Sequence, residues 1–367
     1  MKAVASTGLS GLLVTTLLLA GCERPPPITV QRGFRGTGME AVYNPARLQA
    51  QYAAIKIPDA QPPASPDGPR ASLVFQNVKV LGDLSVGEFT RVMLAMTQWV
   101  APPDQACGYC HQGAMSDDTR YQKVVARRML QMVRDINSKW KTHVAGTGVT
   151  CYTCHQGNPV PSNVWFTNPG PVEHGNAATN AQQNQPAPSV GLSSLPYDPM
   201  TPFLLGSDTI RVAGNDALPD HNRHSIKQTE WTYGLMMHMS QSLGVNCTYC
   251  HNTHSFRDWD QSPPTRAVAW YGIRMVRDLN SHYLQPLTET FPATRLGPTG
   301  DVAKIGCATC HKGIYKPLFG QSMAKDYPEL GAPRPDPAAP PATDAAPAAE
   351  SVKTAATAAP PAPPKGM

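Results

Sequence analysis

Aromatic residues are scarce in this 367-residue chain: Phe, Trp and Tyr together make up 7%. Set against 38 prolines, that scarcity argues against a core filled by ring side chains alone and suggests that something other than protein completes the interior. Cysteine for structural disulfides is also lacking. Eight of the nine cysteines fall in four close pairs, Cys107/Cys110, Cys151/Cys154, Cys247/Cys250 and Cys307/Cys310, and the ninth is Cys22. A disulfide-stapled secreted domain is therefore excluded. No Lys/Arg-rich run accompanies the formal charge of +5, so a nucleic-acid binder is not indicated. The apolar run Leu12–Ala20 is too short and too weakly flanked by charge for a transmembrane helix.

What that run does fit is export. Residues 1–21 read as a signal peptide, with Lys2 before the apolar stretch. It ends Leu19-Ala20-Gly21-Cys22, which resembles a bacterial lipobox and predicts cleavage before Cys22 and acylation of its sulfur. The alternative is an uncleaved apolar anchor with an incidental cysteine. Either way the remainder is exported, and two or more acyl chains would hold it firmly at a membrane surface.

A histidine follows each cysteine pair at once: His111, His155, His251 and His311. Two thiols three positions apart can form thioethers with the two vinyl groups of one haem, while the adjacent imidazole is held on one face as proximal ligand to iron. C-x-x-C-H is the c-type haem attachment signature. Zinc would need four ligands per ion, and a thioredoxin-like dithiol would need neither the repeat nor the histidines. Four such motifs in an exported chain predict four covalently bound haem c groups. Their propionates would offset the positive charge of the chain, and the haems themselves would supply the missing core.

The motifs fall into two pairs with a duplicated segment inside each. Met132-Val-Arg-Asp-Ile-Asn-Ser138 and Met275-Val-Arg-Asp-Leu-Asn-Ser281 differ at a single position. The predicted class is mainly α with extensive irregular segments: two pseudo-symmetric halves, each built as helix, CxxCH, helix, CxxCH. The first helix opens at the capping box Ser85-Val-Gly-Glu88 and stops before Pro102-Pro103. The second follows Ser116-Asp-Asp-Thr119 with an apolar face through Val125, Met129, Met132, Ile136 and Trp140. The third begins near Ser225-Ile-Lys-Gln228 and ends around Gly244; the fourth begins after Pro263-Pro264 and ends before Pro286. The layout is then a lipoprotein signal peptide (1–21), an extended, lipid-anchored N-terminal segment (22–70), dihaem half one (71–160), a connecting segment (161–224), dihaem half two (225–320) and a Pro/Ala-rich disordered tail (321–367).

The second axial ligand decides between a carrier and an enzyme, since an iron with one open position can bind substrate. Helices before the first three motifs carry methionines: Met93 and Met96, Met129 and Met132, and Met236, Met237 and Met239 with His238 among them. Methionine at helical spacing is ordinarily core filler; its recurrence before successive motifs points to ligation. The fourth motif breaks the pattern, because the duplication sets Gly272 where Met129 stands. A histidine is the natural replacement, and His143 is accounted for by no motif. The expectation is that His143 reaches across to the fourth haem; His174, His221, His224, His254 and His282 are rivals. Three His/Met haems and one bis-His haem follow, with unequal potentials. Arg127, Arg128, Arg274 and Arg277 are candidate propionate partners, or simply solvated helix faces.

Taken together, Arg91-Val-Met93 through Trp99-Val100, Val125-Ala-Arg-Arg-Met129, His143-Val-Ala-Gly-Thr-Gly-Val-Thr-Cys151-Tyr-Thr-Cys-His-Gln-Gly157 and Leu235-Met-Met237 through Cys247 resemble the tetrahaem cytochrome c subunit of purple bacterial photosynthetic reaction centres. The resemblance spans roughly residues 70–320. It implies iron ligation by Met93, Met129, Met236 and His143, opposite His111, His155, His251 and His311. It also implies a place on the periplasmic face of the photosynthetic membrane against the L and M subunits. There the protein would re-reduce the photo-oxidised bacteriochlorophyll special pair, taking electrons from a soluble cytochrome c or high-potential iron–sulfur protein. The loop Ala101-Pro-Pro-Asp-Gln-Ala106 is slightly longer than the family pattern, and the Pro/Ala tail is a further departure. Competing readings are a membrane-anchored respiratory multihaem carrier, a haem enzyme with an open iron, and a zinc scaffold.

Overall fold

A computed structural model describes residues 26–31, 40–168, 195–196, 198–212 and 226–335. The signal peptide, Cys22, His174, His221, His224 and the chain beyond residue 335 lie outside the described residues. The chain divides into a compact unit through Pro333 and a second unit, Arg334–Met367.

The N-terminal segment is more ordered than the extended run its prolines predicted. Strands β1 (Ile28–Gln31) and β2 (Glu40–Tyr43) pair antiparallel, Ile28 opposite Tyr43. Helix α1 (Pro45–Ala54) follows at once. Its start is a local signal: the Asn44 side chain accepts from the Arg47 N–H, and Pro45 takes the first helical position, where a missing N–H costs nothing. Only beyond α1 does the chain run extended, and there its carbonyls serve as acceptors for the core.

Helix α2 (Val86–Val100) opens with the expected capping box, Ser85 Oγ accepting from Glu88 N at 3.1 Å and Ser85 N donating to Glu88 Oε2 at 3.0 Å. It stops at Ala101, because the residue before proline is pushed out of the helical region. Helix α3 (Tyr121–Lys139) buries Leu130, Met132, Val133 and Ile136, while Val125, Met129 and Trp140 are half-buried. The single-turn α4 (Lys141–Val144) follows, then α5 (Cys151–His155). In the second repeat come α6 (Ile226–Leu243), α7 (Pro264–Leu279) with proline at its first position, and α8 (Cys307–His311). Gly244 ends α6 at φ +64, and a Cβ there would lie 2.1 Å from the Gly313 carbonyl oxygen, so only glycine permits this approach.

Equivalent residues of the duplication make equivalent bonds. Asn137 clamps both backbone groups of Val149, at 2.9 and 2.8 Å; Asn280 clamps Ile305, at 3.0 Å each way. Gly157 N donates to Trp99 O at 2.9 Å, and Gly313 N to Ser242 O at 2.8 Å. The same two asparagines also hold a covering segment, and here the repeats draw on different parts of the chain. Asn137 donates to Leu330 O, and Arg134 to Gly331 O; Asn280 donates to Leu204 O, and Arg277 to Phe203 O. The first repeat is thus covered by the chain's C-terminal stretch and the second by residues that precede it.

Two stretches outside the predicted dihaem halves pack into the core. Residues 322–331 belong to the core, with Tyr327, Glu329 and Leu330 buried, so the tail begins after Gly331 and not at 321. Within the connecting segment, Phe203 and Leu204 are core, and Trp165 exchanges backbone hydrogen bonds with Lys304. Both stretches are short turns without a helix or strand period, which is why the sequence pattern did not reveal them.

Candidate haem-binding site

Motifs one and three sit on tight turns, Ala106–Tyr109 and Cys247–Tyr249; motifs two and four are the helical turns α5 and α8. All four histidines share one arrangement. Nδ1 of His111, His155, His251 and His311 lies on the carbonyl of Met115, Asn158, Phe256 and Ile314, at 3.2, 2.8, 2.9 and 3.0 Å. A ring nitrogen held on a carbonyl fixes the tautomer and leaves Nε2 as the lone-pair donor for a metal. Burial brings the His155, His251 and His311 imidazoles down, His311 to about 4, and pushes the Cys151 and Cys307 thiols up to about 12. Neutral imidazole is the state a metal needs.

Motifs one and two face a single, largely apolar cavity of about 630 Å³. Cys107, Cys110 and His111 line one part, Cys151, Cys154 and His155 another, with Phe89, Val125 and Val100 among the walls. Met93, Met96, Met129 and Met132 all reach it, so the cavity gathers the methionines without choosing within a pair. Burial separates one pair: Met132 is packed into the core and Met129 is half-buried against it. Met236 is half-buried on α6, and the His251 ring is stacked on Phe256, 4.2 Å away and nearly parallel.

His143, on α4, stands against α7 of the other repeat. Its Nδ1 lies 2.9 Å from Val268 O, so it carries the same carbonyl clamp as the four motif histidines. A Cβ built on Gly272 would come within 2.6 Å of His143 Cε1, so the imidazole fills the space that the repeat leaves empty. Its ring centroid is 6.1 Å from that of His311. Two imidazoles with nitrogens about 2 Å from one metal between them put their centroids about 6 Å apart. Of the described rivals, His282 is engaged with Asp278 at 2.6 Å.

Motif thiols, neutral imidazoles, an apolar cavity and the Gly272 gap therefore suit covalent haem. The zinc alternative finds no support: among the described residues no group of three or more His, Cys, Asp or Glu could hold a metal ion. The candidate propionate partners are occupied within the protein. Arg127 pairs with Asp118 at 2.7 Å, Arg128 bonds Gln131 and the His282 carbonyl, Arg274 lies over Trp270, and Arg277 bonds Phe203 O. Missed in the sequence were the buried pairs Arg91–Glu329 and Lys304–Asp301 and the Phe256 cover. Only Tyr327-Pro-Glu-Leu330, a small apolar cluster ahead of the Pro/Ala tail, hinted at the first of these.

Comparison with known proteins agrees. The family profile "Photosynthetic reaction centre cytochrome C subunit" matches residues 23–331. The photosynthetic reaction center cytochrome c subunit of Rubrivivax gelatinosus is 57% identical over 343 residues, 93% of each chain. That of Thermochromatium tepidum is 52% identical over 320 residues, 87% of this chain and 79% of its own; that of Roseobacter denitrificans is 43% identical over 321 residues, 82% and 85% respectively. With a match across most of its length and the haem motifs intact, the chain belongs to the family of photosynthetic reaction centre cytochrome c subunits, electron carriers that donate to the reaction centre.

Proposed function

We propose that the chain carries four haems, each joined through the two cysteines and proximal histidine of one motif, with Met93, Met129, His143 and Met236 as the sixth ligands. The observation that carries this reading is His143 seated beside Gly272, 6.1 Å ring to ring from His311. Bound haem supplies a reversible one-electron couple. Filling both axial positions closes the irons to substrate, as a carrier requires, and methionine ligation raises potential relative to bis-His.

The order of the sites follows from contacts. Motifs one and two share a cavity. Motifs two and four meet, Cys154 Sγ lying 2.8 Å from Cys310 Sγ. Motif four joins motif three through α8 on α6 and the rings of Tyr249 and Tyr315, 6.3 Å apart. Electrons would pass along the series one, two, four, three. Strand β2 packs on the Cys247–Tyr249 turn. Cys22, acylated, would stand about 20 Å or less before Ile28 along the chain. Motif three would then be nearest the membrane, facing the L and M subunits and their special pair. Motif one would be left at the far end, for a soluble cytochrome c or high-potential iron–sulfur protein. Among the described residues no helix is long and apolar enough to cross a membrane.

The test is a flash-induced absorption transient at the cytochrome α-band on redox-poised membranes, with haem counted per chain. Rapid haem oxidation in two potential classes, lost when this chain is deleted, is the expected result. Absence of light-driven oxidation with active reaction centres and reduced haems would overturn the donor role, and fewer than four haems would overturn the ligand set.

A further inference from the structure

A second cavity, about 900 Å³ and lined mainly by charged and hydrogen-bonding residues, opens between α3 and α7. Its lining contains repeat counterparts in pairs: Asp135 and Asp278, Lys139 and His282, Trp140 and Tyr283. Each Asp takes a nitrogen partner four residues on, Lys139 Nζ to Asp135 at 2.5 Å and His282 Nδ1 to Asp278 at 2.6 Å. The aromatic that follows each of these partners reaches the other repeat. Trp140 Nε1 donates to Asp278 Oδ2 at 3.3 Å, and the Tyr283 hydroxyl is close enough to Asp135 for that carboxylate to help push it up to about 12, after burial. The two ties are reciprocal in sequence but not in consequence, because Trp140 opens the turn that carries His143. Its carbonyl accepts from His143 N at 2.9 Å and from Val144 N at 3.0 Å. After Tyr283 the second repeat has Pro286 where the first has His143.

Helix α7 therefore grips this short turn at two points. Val268 O holds the imidazole, and Asp278, about 15 Å further along the helix, holds the indole at the turn's start. Gly272 lies between them, making room for the ring. One hydrogen bond to a ring nitrogen leaves an imidazole free to slide with its backbone; a second anchor at the start of the turn removes that freedom.

We infer that Trp140 and Asp278 are positioning residues for His143, holding it on the fourth haem from across the repeat. The inference rests on the ligand set proposed above. It is tested in native membranes by redox titration of the α-band and by carbon monoxide binding to the reduced protein, using Trp140→Phe, Asp278→Ala, Tyr283→Phe and His143→Ala.

Trp140→Phe and Asp278→Ala are expected to admit carbon monoxide to part of the population of one haem and to shift its potential. Tyr283→Phe, which removes the reciprocal tie, should leave both readouts as in the parent protein. A wild-type spectrum and potential in Trp140→Phe, while His143→Ala opens a haem, overturns the inference and spares the ligand set. An identical change in Tyr283→Phe also overturns it, since the effect would then be general loosening between the repeats. A wild-type result in His143→Ala overturns the ligand set, and the inference falls with it.

Discussion

The two repeats keep their backbone bonds and exchange their side chains. Asn137 and Asn280 make the same clamp, but around them volumes are redistributed. On α2, Ala95 and Trp99 are buried, with Trp99 edge-on to Tyr327 at 4.7 Å. On α6 their counterparts are His238 and Ser242, large and small in reverse order, and desolvation brings His238 down to about 4. Arg91, buried against Glu329, corresponds to Gly234; Met129 corresponds to Gly272. Duplication preserved what positions the motifs and left free what fills the space between, which is where the seat of His143 beside Gly272 and the two different covers arose.

Cutting the chain after Gln321 should break the comparison most severely, because it uncovers the first repeat alone. Burying Tyr327 and Leu330 is worth about 1.5–3 kcal/mol each, and Arg134 and Asn137 lose carbonyl partners. A loss above about 5 kcal/mol is expected, read as a collapse of the melting temperature, while truncation after Pro335 should change it little.

Arg91→Met removes one partner of a buried pair joined at 2.7 Å and strands Glu329, whose second carboxylate oxygen already lacks a partner. About 3–5 kcal/mol should be lost, again in the first repeat. Calorimetry would show it, and Glu329→Gln in the same background should recover part.

Gly272→Met would make the repeats alike. Alone it should drive His143 from its place, at about 1–3 kcal/mol for overpacking, and open a haem to carbon monoxide. Combined with His143→Ala it should give a fourth His/Met haem whose potential rises in a redox titration.

The smallest effect concerns acid. Burial raises the Asp301 carboxyl, but bonds from Lys304, the Thr167 N–H and Thr299 outweigh it and bring the group down to about 2. A depressed carboxyl stabilises fully above its ordinary value near 4 and loses that contribution as pH falls towards 2, about 2 kcal/mol in all. The first repeat has Gly148 in place of Lys304. Asp301→Asn should flatten the stability profile between pH 4 and 2, seen in melts across that range.

The helices and motifs were legible because each carries a local cause: the Ser85 box, Pro264 at a helix start, Gly244 at an end, and CxxCH itself. The link from His143 to Gly272 was legible because a repeat makes an absence visible. The covers were not, since Phe203-Leu204 and Tyr327–Leu330 act through carbonyls and a few buried side chains, which no period announces. Nor were the pairs of Arg91 and Lys304, whose partners are fixed only when distant or irregular segments fold together.

The crossed covers set a schedule. In a chain synthesised from its N-terminus, Phe203 and Leu204 are made before α6 and α7, so the second repeat meets its cover ready. The first repeat emerges early and waits for residues 322–331, the last part of the core to arrive. The half made first is the half finished last.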